Sequence, residues 1–192
     1  MRIFILARHG ESHLNVAGRV NADPALDPGL TPDGEEQARN LGRQIAAVEV
    51  DLVVTSRFPR AQSTAALALA GRHVPAVVLP GLDDVRIGEL EGQTIADYRE
   101  WKRHKPRSEP FPGGESLDAA AQRFAAAFRE VLDRPERSIL VVCHEIPVRY
   151  AANAAIGSDS LDGPSHDIQN AQPYVFDERG LTAAVARIER LA

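Results

Sequence analysis

Arg8, His9 and Gly10 close the apolar run Ile3-Phe4-Ile5-Leu6-Ala7, and Glu11 and Ser12 follow at once. A short run that is partly β-branched and aromatic reads as a buried strand. A side chain at the C-terminal tip of such a strand opens into the crevice where α/β sheets bind ligands. There a guanidinium suits a planar oxyanion, and a neutral imidazole is a candidate nucleophile. Taken alone, the three residues equally describe a satisfied surface pair. Polar clusters end three further apolar runs: Thr55, Ser56 and Arg57 with Arg60 a turn later, Asp83 with Asp84, and His144 with Glu145. In a parallel sheet these tips share one edge, so two arginines, two histidines and a carboxylate meet in one crevice. Helices that begin beside them add N–H donors and positive partial charge. Such a set is built to hold a dianion, and a phosphoryl group fits better than a carboxylate because donors approach from several sides. A divalent cation held by His9, His144 and Asp84 is a legitimate competing ligand set. Arg8 and Arg60 would set positive charge against it, and no His-x-x-x-His spacing supports it.

The elements that must position these groups alternate. Apolar β-like runs over residues 3–7, 51–55, 74–79 and 138–143 are separated by helical patterns. Thr31 before Pro32 is a helix start, hydroxyl cap first and proline next. Residues 34–48 then place Ala38, Leu41, Ile45 and Val48 on one face. Further helices are expected over 58–70, 116–132 and 146–156. In the second of these, Leu117, Ala120, Ala121, Phe124, Phe128, Val131 and Leu132 form the apolar stripe. Near the C-terminus, residues 173–177 and 181–187 flank Glu178-Arg179-Gly180 and read as a hairpin. The pattern predicts an α/β fold: a three-layer α/β/α sandwich around a mostly parallel mixed sheet. Residues 98–114, with three prolines and six Lys, Arg or His, form a long surface excursion, either a lid or a solvated connector.

Composition narrows the class. A chain of 192 residues suits one domain, spanning 1–192, and 44% hydrophobic against 26% charged residues predicts a folded globule. A net charge of −5 gives no general attraction to nucleic acid or to anionic membrane, so any anion site must be a local arginine cluster. Cys143 is the only cysteine, which excludes an intrachain disulfide and fits a reducing compartment. The apolar run at the N-terminus is too short for a signal segment or a membrane span, so a cytoplasmic protein is expected. The sequence carries no signal for oligomeric state.

Arg8-His9-Gly10-Glu11-Ser12 with Asn15 resembles the signature of the histidine phosphatase superfamily, which includes the cofactor-dependent phosphoglycerate mutases. Five further segments are similar in the same order: Leu30-Thr31-Pro32-Asp33-Gly34 through Gln37-Ala38, Ser56 through Arg60-Ala61 with Thr64-Ala65, Gly88 through Glu91-Gly92, Gly113-Gly114-Glu115-Ser116, and Val141-Val142-Cys143-His144. The resemblance implies a phosphoglycerate mutase-like fold and a metal-independent phosphomonoester hydrolase acting on a small phosphorylated molecule, with no cofactor. It assigns His9 as the nucleophile that becomes phosphohistidine. Arg8, Asn15, Arg60 and His144 would hold the phosphoryl oxygens. Asp84 falls where the family carries its acid, normally a glutamate, and Asp83 is its neighbour and rival. Glu145 departs from the family's usual glycine, either capping the next helix or taking part in substrate selection or proton transfer. Glu11, inside the signature, is a secondary candidate.

Two other functions compete with hydrolysis. The family's mutases carry a longer insertion after the Glu-Gly turn and an acid segment reading Glu-Arg-His-Tyr-Gly, where this chain has Asp84-Val85-Arg86-Ile87-Gly88. A non-catalytic phospho-ligand binder should have lost His9, an arginine or His144, and this chain keeps them all. Among the remaining residues, Thr31, Thr55 and Ser56 read as caps and turns, and Tyr98 and Trp101 as loop anchors. Cys143 reads as a small apolar filler, and His13 and His166 as solvated. Residues 20–29, 98–112 and 158–167 are expected to wall the pocket.

Overall fold

A computed structural model describes residues 1–192. Four parallel strands, β1 (Ile3–Arg8), β2 (Leu52–Thr55), β3 (Ala76–Val78) and β4 (Ser138–Cys143), form one sheet with antiparallel β5 (Tyr174–Asp177), in the order β3-β2-β4-β1-β5. The register pairs Arg8 with Cys143, so the residues that follow, His9 and His144, leave neighbouring strand tips side by side.

Side-chain alternation along the strands divides the core into two layers. Phe4, Leu6, Val141 and Cys143 face one side, against α5 (Leu117–Leu132), α6 (Glu145–Ala155) and α7 (Glu178–Leu191). Ile5, Ala7, Leu140 and Val142 face the other, against α2 (Pro32–Gln44) and α3 (Pro59–Ala68). The expected three-layer α/β/α sandwich with a mixed sheet is therefore what the chain forms. Thr31 caps α2 by accepting from Gly34 N, and Ser116 caps α5 by accepting from Ala119 N.

Two expectations fail. The C-terminal hairpin is one strand followed by a helix, because Leu181, Ala184, Val185 and Ile188 recur at helical spacing and all are buried. Asp177 supplies the start signal by accepting from Gly180 N, so Glu178-Arg179-Gly180 is a first turn of helix and not a hairpin loop. Asp177→Ala is expected to lower the unfolding free energy by about 1 kcal/mol, read as a shifted denaturant midpoint at constant slope. The excursion at 98–114 also holds structure: α4 (Ile95–Arg103) enters it through a Thr94/Asp97 capping box. Tyr98 and Trp101 on this helix stack on Phe111, with ring centroids 5.6 and 4.3 Å away.

The turn after β1 is fixed at backbone level. A Cβ on Gly10 would lie 2.4 Å from Gly34 O, and one on Gly34 would lie 2.0 Å from Glu11 O. Only paired glycines let the start of α2 approach the strand tip this closely. Further bonds tie the same turn down: Gly10 N donates to Thr64 Oγ1, Glu11 N to Gln37 Oε1 and Thr31 N to Glu11 O, each at 2.9 Å. No helix is long and apolar enough to cross a membrane.

Candidate active site

Beyond the C-terminal edge of the parallel strands lies a cavity of about 390 Å³ whose lining includes Arg8, His9, Asn15, Arg60, Asp84 and Glu145. His144 is fully buried beside His9, with its ring centroid 5.3 Å from that of His9. The Arg60 guanidinium bridges the two rings. Its Nε donates to His9 Nε2 at 3.0 Å, and Nη2 lies 3.3 Å from His144 Nδ1. Since an arginine only donates, both of those ring nitrogens carry lone pairs. The opposite nitrogens then hold the protons: His9 Nδ1 donates to Gly10 O at 2.7 Å and His144 Nε2 to Ser56 Oγ at 2.9 Å.

Burial, then the charges of Arg60 and Arg8, hold His9 well below the ordinary imidazole range, outweighing the opposing pull of the Gly10 carbonyl. His144 is depressed for the same first reason, then by Arg60, His9 and Arg8. Loss of surrounding water pushes Asp84 up, against the pull of Arg60, while Glu145 adds to the rise. Asp84 Oδ2 stands 3.6 Å from His144 Nδ1 and 3.8 Å from Arg60 Nη2. Arg8 Nη1 donates to Ile168 O at 2.9 Å, and its buried Nε has no partner. That orphan donor is what an oxyanion in the cup would satisfy. Asn15 Oδ1 accepts from Ser12 N within the α1 (His13–Val16) capping box, which leaves its Nδ2 to donate.

Not every candidate joins the cup. Asp83 accepts from Arg57 N at 2.9 Å and from Arg57 Nε at 2.6 Å, and is turned away from the cavity. Glu11 accepts from Thr31 Oγ1 at 2.8 Å beside the α2 start. Glu145 opens α6 and also reaches across it, 3.4 Å from Arg8 Nη1 and 3.2 Å from Arg149 Nη1. It therefore competes with any anion for Arg8. Glu145→Gln is expected to tighten inhibition by inorganic phosphate about threefold to tenfold, measured as Ki.

A profile of the histidine phosphatase superfamily (branch 1) matches residues 4–189. The chain belongs to that superfamily. Phosphoserine phosphatase 1 of Hydrogenobacter thermophilus is 28% identical, over 90% of this chain and 84% of that protein. The 2,3-bisphosphoglycerate-dependent phosphoglycerate mutase of a Methylobacterium species is 31% identical, over 91% and 90%. The crystal structure of the α-ribazole phosphatase from Shigella flexneri superposes with a TM-score of 0.79 at 28% identity, covering 91% of this chain and 90% of that one. Phosphatases and a mutase are thus both relatives of this chain.

Several residues that shape the site escaped the sequence reading. Ser56, read as a turn residue, orients His144. Asn21 accepts from Arg60 Nη1 through its side chain and from Nη2 through its carbonyl. Asp27 accepts from Arg60 N at 2.9 Å. Glu91, the glutamate of the Glu-Gly turn, accepts from Asn21 Nδ2 and Ala22 N at 2.8 and 2.6 Å. Motif membership was the only available signal for Glu91, and nothing local marks Asn21.

Proposed function

We propose that this chain is a phosphomonoester hydrolase that works through phosphohistidine, without a metal ion, on a small phosphorylated metabolite in the cytoplasm. The observation that carries this reading is the unprotonated Nε2 of His9, held neutral against the Arg60 guanidinium of the cup and opposite a second imidazole. A phosphoryl group entering the cup takes over the donors now engaged with the rings, with Arg60, the orphan Nε of Arg8 and Asn15 Nδ2 neutralising its equatorial oxygens. Its negative charge favours protonated His144, which then donates through Nδ1. His9 Nε2 attacks phosphorus in line, the ester P–O bond breaks, and Asp84 gives its proton to the leaving alkoxide. The resulting Asp84 carboxylate deprotonates water, which attacks phosphohistidine and frees inorganic phosphate. Asp84 is suited to this because its pKa is already raised, and a bound dianion raises it further.

A cation between the two rings would face Arg60 at hydrogen-bond distance, which supports metal independence. Turnover of 4-nitrophenyl phosphate is therefore expected to persist in excess chelator. Asp84→Asn is expected to cost about 10²-fold or more on alkyl phosphates, and under tenfold on 4-nitrophenyl phosphate, whose leaving group needs no proton. Equal losses on both would remove Asp84 from the acid role. Acid-labile labelling of His9 by substrate, followed by release of phosphate to water and not to 3-phosphoglycerate, tests hydrolase against mutase.

A further inference from the structure

Beyond the cup, the same cavity carries more positive charge than one phosphoryl group uses. Six Lys or Arg side chains line it against two carboxylates, Asp84 and Glu145, in a chain of net charge −5. Two of the six, Arg8 and Arg60, belong to the cup. Outside the cup, α4 contributes Tyr98 and Lys102 to the wall, and α6 contributes Arg149. Lys102 Nζ and Arg149 Nη2 share a single carboxylate oxygen, Asp162 Oδ1, at 3.2 and 3.1 Å, and Arg107 Nη1 takes the other. Asp162 thus answers three cations, helped only by Asp118 at Arg107 and Glu145 at Arg149. Arg107 and Arg149 both lie over the ring of Tyr150, so these groups form one cluster.

Two buried polar atoms of this cluster belong to residues on the cavity wall and have no hydrogen-bond partner: Tyr98 Oη and Arg149 Nε. Buried donors are left open at a cost that a structure sustains where a ligand or ordered water satisfies them. Burial also pushes the Tyr98 phenol up, so its hydroxyl keeps the proton it would donate. The cavity also has an apolar lining, with Leu14, Val20, Ile95 and Ile146. A carbon skeleton would lie there.

Resting on the hydrolase reading, we infer that Tyr98, Lys102 and Arg149 form a second anion subsite. The substrate is then a small phosphomonoester that carries a further carboxylate or phosphate on the side away from the scissile ester. The cavity, about 390 Å³, is of metabolite size.

Kinetics on matched pairs test this. O-phosphoserine against phosphoethanolamine differs by one carboxylate, and fructose 1,6-bisphosphate against fructose 6-phosphate by one phosphate. At least one pair is expected to favour the member with the extra anion by tenfold or more in kcat/KM, chiefly through KM, and the pair that does so identifies the second group. Lys102→Met should remove at least tenfold of that preference while Lys102→Arg restores it, and Tyr98→Phe should remove part of it. A preference below tenfold in both pairs overturns the inference, as does a Lys102→Met loss equal for both members. Turnover of 4-nitrophenyl phosphate separates the two ways of failing. If it proceeds without pair preference, only the second subsite falls. If it is absent and no phosphohistidine forms, the hydrolase reading falls and takes the subsite with it.

Discussion

His9→Ala is expected to lower kcat/KM for 4-nitrophenyl phosphate by at least about four orders of magnitude, because no other side chain can replace the attacking nitrogen. Asp84 and Glu145, the carboxylates on the cavity wall, are repelled by bound phosphate. His144 cannot substitute: with phosphate bound it donates through Nδ1, and its Nε2 is tied to Ser56. The variant should fold, since the backbone bonds of the turn, from His9 N to Cys143 O and from Gly10 N to Thr64 Oγ1, do not involve the lost ring. Far-UV circular dichroism would check folding, and labelled substrate would show no acid-labile phosphoprotein. Hydrolysis surviving within tenfold of the parent rate would rule out the covalent route.

Arg60→Met is expected to cost about 10³-fold in kcat/KM, the scale of removing a charged donor from a developing phosphoryl charge. Its pH signature separates this from a folding defect. Arg60 is the largest charge acting on both imidazoles, and it holds their pKa values down. Without it the His9 pKa rises, so the acid limb of kcat/KM moves to higher pH; the parent limb lies below the ordinary histidine range. Stability should also fall by about 3 kcal/mol, because Asp27 is left buried without its cation and Asn21 without its donors. Lysine is expected to restore little: one ammonium cannot reach His9, His144 and Asn21 together as the planar fork does. An unshifted acid limb in Arg60→Met would remove this account of how His9 is kept neutral.

The fold and the heart of the site were readable for a common reason. Strand tips concentrate polar residues after an apolar run, and parallel pairing brings such tips together, so Arg8, His9, Arg60, Asp84 and His144 could be gathered from sequence alone. A capping residue likewise announced α2, and an apolar stripe announced α5. What was missed depends on contacts that no local pattern encodes. Ser56 meets His144 across 88 residues of sequence, and Asn21 meets Glu91 across 70. The C-terminal helix was misread because Glu178-Arg179-Gly180 suits a turn as well as a first helical turn, and only burial on one face decides between them. Glu11 and Asp83 have the right chemistry but are consumed by Thr31 and Arg57.

The glycine contact between the β1 turn and α2 has a consequence for how this pocket can diversify. The chain leaves at Ser12, returns at Leu30 through an antiparallel bridge, and is sealed by Thr31 N on Glu11 O and His13 N on Gly29 O. The intervening stretch, which carries Leu14, Arg19, Val20 and Asn21 into the cavity, is a cassette hung on a rigid clasp. Lengthening such a closed stretch costs little, growing only logarithmically with added residues. Around Asn15, Asn21 and Asp27, which serve the cup, the recognition surface can thus be rewritten while the reacting nitrogen stays indexed to the sheet.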